Sequence, residues 1–388
     1  MKPVTRVTAE FRKRFETEPA ICSYAPGRVE ILGNHTDYNE GFVLSCAIDL
    51  GMAFAVGPSD QPGRSRLIAA DLDQSVEFRT SAPAPADRNR WANYPKGVLY
   101  YLLSLAASPR DFVAVFGGNI PPGAGLSSSA ALEVSSGLCL TQWLGRELPP
   151  MELAKICQRA EFEFAGVKCG LLDQITSLFG REGHLVHTDF RTLDVQHISI
   201  PAAACFLLCN TGVRHRLVES EYNERRAACG EAAIRLADYL GRPVSALRDV
   251  SMAELRSSET YLDPRIFRRA LHVIGENERV VRGLGDLAAG DLDSFGRQMS
   301  ASHESSRDHF ENSCAELDEA VQIVRLLKGT YGARLSGGGF GGSVVALVHA
   351  EKAESLMEAW RSACSDRWRR KVDIRRIWPS RGARRVSL

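Results

Sequence analysis

The sequence predicts an α+β fold in two domains, on three observations. The chain has 388 residues, more than a single hydrophobic core normally organises, so two domains are the default. Short strands around Ser23–Ala25, Phe42–Ala47, Met52–Val56 and Val113–Phe116 precede long helical patterns at 127–142, 151–164, 219–240 and 313–328. Strict βαβ repetition is absent, which favours segregated layers over a doubly wound parallel sheet.

In chain order, Asp111 to Phe116 reads as a buried strand, and Leu126, Ala130, Val134 and Leu138 recur at a spacing of four, as in a helix. Between them lies Pro122-Gly-Ala-Gly-Leu-Ser-Ser-Ser-Ala-Ala131. Its glycines let backbone amides approach a ligand, and a helix start points unpaired N–H groups at an anion. Gly123, Ala124, Gly125, Leu126, Ser127, Ser128 and Ser129 are therefore a candidate polyphosphate cradle. No Gly-Lys-Ser or Gly-Lys-Thr occurs, and no Gly-x-Gly-x-x-Gly follows a strand in the dinucleotide-binding manner, which disfavours P-loop and Rossmann readings. What remains is a kinase that holds its nucleotide through amides and serine hydroxyls. A later helix, beginning after Pro149-Pro150, carries Glu161. The glycine run 337–342 between Ala333–Leu335 and Val344–Val348 reads on its own as a hairpin corner.

A second segment, Ala25-Pro-Gly-Arg-Val-Glu-Ile-Leu-Gly-Asn-His-Thr-Asp-Tyr-Asn39, packs Arg28, Asn34, His35, Asp37 and Tyr38 beside a strand end. A polyol needs several convergent donors and acceptors, and this density supplies them.

The segment resembles the galactokinase signature of the GHMP kinase superfamily. The serine loop is similar to that superfamily's second motif, and Arg334-Leu-Ser-Gly-Gly-Gly-Phe-Gly-Gly-Ser343 to its C-terminal glycine motif, which lies against the phosphate loop in those enzymes. Segments 91–97, 161–174, 210–226 and 302–318 resemble the same family in the same order, so the likeness spans nearly the whole chain. It implies an N-terminal domain like ribosomal protein S5 domain 2 (1–204), a C-terminal ferredoxin-like domain (205–365), and a terminal strand and tail (366–388) returning to the first.

The resemblance also implies the chemistry. Phosphoryl transfer to a sugar hydroxyl needs a proton acceptor and positive charge near the moving phosphoryl group. Asp173 would face the anomeric hydroxyl as general base or as electrostatic orienter, with Arg28 as its partner. Asn34, His35, Asp37, the Gly170 backbone and Tyr222 would bind the sugar, Asp37 taking adjacent ring hydroxyls. Trp91 and Tyr94 would flank the base of ATP, and Ser129 and Glu161 would hold Mg²⁺. One position departs from the family: Asn34 stands where a glutamate is usual, expected there to reach the C6 hydroxyl. Galactose, phosphorylated at C1, is the expected substrate, with Glu30 as a possible helper. A galacto-configured sugar altered at C6, such as one carrying a carboxylate, is the alternative, and a catalytically silent sensor of sugar and ATP a second.

A net charge of +1 implies no strong field for nucleic acid or membrane. The ten cysteines form no Cys-x-x-Cys pair, the N-terminus is charged, and no apolar run approaches a membrane span, so a cytoplasmic monomer with reduced thiols is expected. Residues 361–388 carry a net +8, but no nucleic-acid motif accompanies them.

Overall fold

The computed structural model describes residues 2–105, 108–214 and 218–387. Two sheets organise it. The first contains β1 (Ile21–Leu32), β2 (Phe42–Pro58), β3 (Arg64–Ala69), β4 (Gln74–Arg79), β5 (Phe112–Gly118), β6 (His184–Asp189) and β7 (Asp194–Ser199). The second contains β8 (Ala204–Arg214), β9 (Thr330–Ser336), β10 (Gly341–His349) and β11 (Asp373–Ile377), in the antiparallel order β11-β8-β10-β9. The short β12 (Arg384–Val386) returns to the first sheet and pairs with β1. In that sheet β12-β1-β2-β5-β3-β4 run side by side, β6 adds to β2 and β7 to β6, and among the described residues only β3 against β5 is parallel.

Helix α1 (Pro3–Phe15) seals one face of the first sheet through Val7 and Phe11. The other face receives α2 (Asn93–Ser104), α3 (Ser128–Trp143) and α4 (Pro150–Ala160), with α5 (Leu172–Phe179) beside them. Beyond β8 come α6 (Val218–Leu240), α7 (Met252–Ser257), α8 (Pro264–Ala289), α9 (Leu292–Ser305), α10 (Ala315–Arg325) and α11 (Ala353–Trp368). Helices α8 and α9 join the two halves: one apolar core runs from Phe54 and Val134 through Val280, Phe295 and Met299 to Phe206, Leu208 and Leu347. On the far face of the second sheet, Val344 and Ala346 pack with Leu317 of α10 and Trp360 of α11. Being buried on both faces, β10 reads as an unbroken apolar run rather than an alternating one.

Three sequence expectations change. The strands at 42–47 and 52–56 are one strand, β2, which passes Ala25 closely at Gly51: a Cβ there would lie 2.3 Å from the Ala25 carbonyl oxygen. The helix expected to 164 stops at Ala160 and continues as a π-helical turn, Glu161–Ala165. The tail divides: β11 stays with the second sheet, while the segment after it returns to the first, where the amides of Trp378 and Ser380 donate to Asp49 Oδ1 and the Ala47 carbonyl of β2 and β12 pairs with β1.

Candidate active site

One cavity of about 360 Å³ is bordered by β1, the serine loop, the Val167–Asp173 segment, Tyr222 and the glycine run at 337–338. One end is built by Arg28, Asp173 and the serine loop. Gly27 lets β1 pass close beneath the loop, since a Cβ would sit 2.5 Å from the Leu126 carbonyl oxygen, and the Arg28 amide donates to that same oxygen at 3.1 Å. Arg28 Nε then donates to Asp173 Oδ1 at 2.8 Å, and its Nη1 to the Gly125 carbonyl at 2.6 Å. The Ser127 hydroxyl donates to the other carboxylate oxygen of Asp173. Ser127 itself takes φ +57°, turning the chain so that α3 starts at the cavity.

The C-terminal glycine run locks this loop from behind. Ser343 Oγ donates to the Ala124 carbonyl at 2.7 Å, and Thr211 Oγ1 to the Gly342 carbonyl at 2.7 Å. Gly339 has no room for a side chain, because a Cβ would fall 2.1 Å from the Asn312 carbonyl oxygen. The hairpin corner is thus a bracket for the serine loop.

At the other end, most polar side chains of the 25–39 segment are already engaged. Asn34 is fully buried. Its Nδ2 donates to Glu30 Oε1 and to the Gly337 carbonyl, both at 2.9 Å, and its Oδ1 accepts from Asn312 at 3.0 Å and Ser306 at 3.3 Å. His35 bonds Gly338 O through Nε2 at 3.1 Å and the Tyr38 hydroxyl through Nδ1 at 2.8 Å. Because a carbonyl only accepts, Nε2 carries the proton. Burial lowers the His35 pKa to about 3, so the ring is neutral near pH 7. It packs against Tyr222 and Phe310, with ring centres 5.2 and 4.5 Å away.

Asp37 differs. Its carboxylate lies over Gly170, where a Cβ would be 1.6 Å from Oδ2, so position 170 must be glycine. Burial first, then the charges of Asp173 and Glu30, push Asp37 up to about 7. Glu30 is pushed up by burial and pulled back by Arg334 and Arg28; Arg334 Nη1 donates to its Oε1 at 2.8 Å.

Glu161 and Ser129 face the same cavity. Burial first, then the Asp173 charge, raise the Glu161 carboxyl to about 7, while bonds from Ser129, Cys169 and Gln174 favour its charged form. The Gln174 amide also reaches the fully buried Glu133 at 3.0 Å; burial and then the Glu161 charge push that carboxyl well above the usual range. Among the described residues no group of three or more His, Cys, Asp or Glu is placed to hold a metal. A hydroxyl and one carboxylate suit a cation that keeps waters and phosphate oxygens as its other ligands.

Two expected residues do not border the cavity. Trp91 donates to Gln74 Oε1 at 2.8 Å and packs on Phe116, ring centres 5.3 Å apart; Tyr94 packs on the main core. Residues 215–217 of the 210–226 segment lie outside the described residues. Sequence reasoning missed residues that hold the 25–39 segment. Glu276 of α8 accepts from the amides of Gly33 at 3.0 Å and Asn34 at 2.9 Å. Burial would raise its pKa, but Arg279 and the neighbouring cations hold it below the usual range. Asn312 and Arg334 lie inside segments already singled out; Glu276 had no such signal.

Family models match three stretches: the galactokinase galactose-binding signature over residues 9–58, the GHMP kinases N terminal domain over 93–181, and the GHMP kinases C terminal over 284–366. The chain is 40% identical over 367 residues to a galactokinase of Pasteurella multocida, covering 92% of this chain and 93% of that one. A galactokinase of Chloroflexus aggregans is 40% identical over 365 residues, covering 92% of each. Among solved structures, Lactococcus lactis galactokinase complexed with galactose superposes with a TM-score of 0.92 at 28% identity over 98% of both chains. Mevalonate kinase from Methanococcus jannaschii shares the fold, with a TM-score of 0.63 at 20% identity over 92% of this chain and 98% of that one.

Proposed function

The chain belongs to the galactokinase family of GHMP kinases and phosphorylates galactose, and on that premise we propose that the terminal phosphoryl group of ATP goes to the anomeric C1 hydroxyl, giving α-galactose 1-phosphate and ADP. One observation carries the reading: Asp173 accepts from both Arg28 and Ser127 at the point where the serine loop and the 25–39 segment border a single cavity.

In this mechanism the phosphates of ATP lie against the loop amides and the start of α3, where unpaired N–H groups and the helix dipole favour negative charge. Galactose lies between Asp37 and Asp173, with its C1 hydroxyl toward Asp173. That carboxylate accepts or orients the hydroxyl proton, and the Arg28 guanidinium offsets charge spreading onto the transferring oxygens. Asp37 accepts from adjacent ring hydroxyls, because among the described residues its carboxylate has no side-chain donor and it sits over Gly170. Neutral His35 supports Tyr222, which closes the sugar side. Ser129 and Glu161 would hold Mg²⁺, which when bound neutralises phosphate charge.

Phosphorus NMR of the product tests the regiochemistry: an α-linked C1 phosphate is expected, and a C6 phosphate overturns it. A kinetic panel of galactose, galacturonate, 6-deoxygalactose, galactosamine and arabinose tests the substrate, with galactose expected to have the highest kcat/KM.

A further inference from the structure

We propose that Glu30, and not Asn34, is the residue that reads the exocyclic C6 hydroxyl of the sugar, an inference that rests on the galactose C1-kinase reading above. Asn34 has nothing left to offer a ligand. Its two amide protons and both lone pairs are taken by Glu30, Gly337, Asn312 and Ser306. Turning it toward a sugar would strand those partners in a buried site, at the cost of unpaired polar groups.

Glu30 has the opposite balance. Both of its side-chain donors, Asn34 Nδ2 at 2.9 Å and Arg334 Nη1 at 2.8 Å, land on one oxygen, Oε1. Among the described residues Oε2 has no protein donor, yet Glu30 forms part of the cavity wall. A carboxylate oxygen of a buried residue at a cavity wall needs a donor, and a sugar hydroxyl supplies one. Asn34 and Arg334 thereby act as the clamp that holds Glu30 in place.

Placement along β1 selects which hydroxyl. Arg28 and Glu30 are two residues apart in an unbroken stretch of β1 pairing, opposite Ala47 and Ser45. They therefore share a face of the strand, roughly 7 Å apart along it. With C1 held beside Arg28 and Asp173, and ring hydroxyls over Asp37, the far end of a hexose points to Glu30. The negative charge missing at position 34 is thus still present on the wall, four residues earlier. A C6 carboxylate would meet it directly, so uronates are excluded.

The test is kcat/KM for galactose and for 6-deoxygalactose, measured on the wild type, on Glu30→Met and on Glu30→Met/Arg334→Met. The double variant removes both members of the buried ion pair, so neither charge is left unpartnered. Nucleotide affinity is measured alongside as a check on folding. The wild type is expected to prefer galactose by about 10- to 100-fold. In the variants that preference falls to within about threefold, because galactose loses activity and 6-deoxygalactose does not. A wild type indifferent to the C6 hydroxyl overturns the assignment without any variant, as do variants that lower both sugars equally. A wild type that turns over another sugar but not galactose overturns the underlying substrate reading, a result separable from loss of Glu30 discrimination.

Discussion

The two ends of the cavity are built on opposite principles. At the reaction end, Arg28, Asp173 and Ser127 bond mainly to one another and to the loop backbone, and all belong to the first 204 residues. At the sugar end, Asn34 and His35 are spent on partners from the second half, Gly337, Gly338, Ser306 and Asn312, with Glu276 holding the backbone. Asp37 and Glu30 keep carboxylate acceptor capacity there. A dense polar motif therefore divides into framework and recognition, and hydrogen-bond accounting, not residue type, separates the two. The framework share ties the halves of the molecule together at the point where a sugar would enter.

The largest effect should come from the reaction end. Asp173→Asn is expected to lower kcat by about 10²- to 10⁴-fold with nucleotide affinity retained, measured by steady-state kinetics and nucleotide titration. Loss of nucleotide binding as well would mean that Asp173 is framework after all.

At the sugar end, Asp37→Asn is expected to lower kcat/KM for galactose by about 100-fold or more while leaving the KM for ATP nearly unchanged. Gly170→Ala should imitate it, since the added methyl occupies the space of the Asp37 carboxylate.

Titration sharpens the comparison. With Asp37 raised to about 7, kcat/KM for galactose should fall about tenfold per pH unit below 7, as the carboxylate takes up a proton and stops accepting. The stability consequence has the opposite sense. The folded protein binds this proton more tightly than the unfolded chain, so Asp37 destabilises increasingly from pH about 4 to 7 and fully above it. Asp37→Asn should therefore raise resistance to urea at pH 8 and lose that advantage as the pH falls toward 4.

The smallest effect is expected behind the phosphate loop. Ser343→Ala removes one bond to the Ala124 carbonyl and should cost about 1 kcal/mol, read as a few-fold rise in the KM for ATP with the galactose KM unmoved.

Much of this was legible in the sequence, for local reasons. A glycine turn feeding serines into a helix marks a loop that borders the cavity because the signal is contiguous. The helix α8 was also signalled, by Asp263 and Pro264 at its start and Gly290 at its end, although the sequence reading has no helix at 264–289. What lay beyond reach was non-local. Nothing about Glu276 announces that it will receive the amides of residues more than 240 positions earlier. For the same reason Asn34 reads as a ligand: its four partners come from residues 30, 306, 312 and 337, and only the folded chain shows that they consume it. Trp91, an aromatic beside a glycine-poor turn, has its ring committed to Phe116, which spacing alone does not disclose.

A crystal structure with galactose and a non-hydrolysable ATP analogue bound together tests the central claim most directly. The account predicts the C1 oxygen within hydrogen-bond distance of Asp173, ring hydroxyls on Asp37, and Asn34 still holding all four of its protein partners. A sugar bonded through the Asn34 amide, or one whose anomeric oxygen lies away from Asp173, would contradict it.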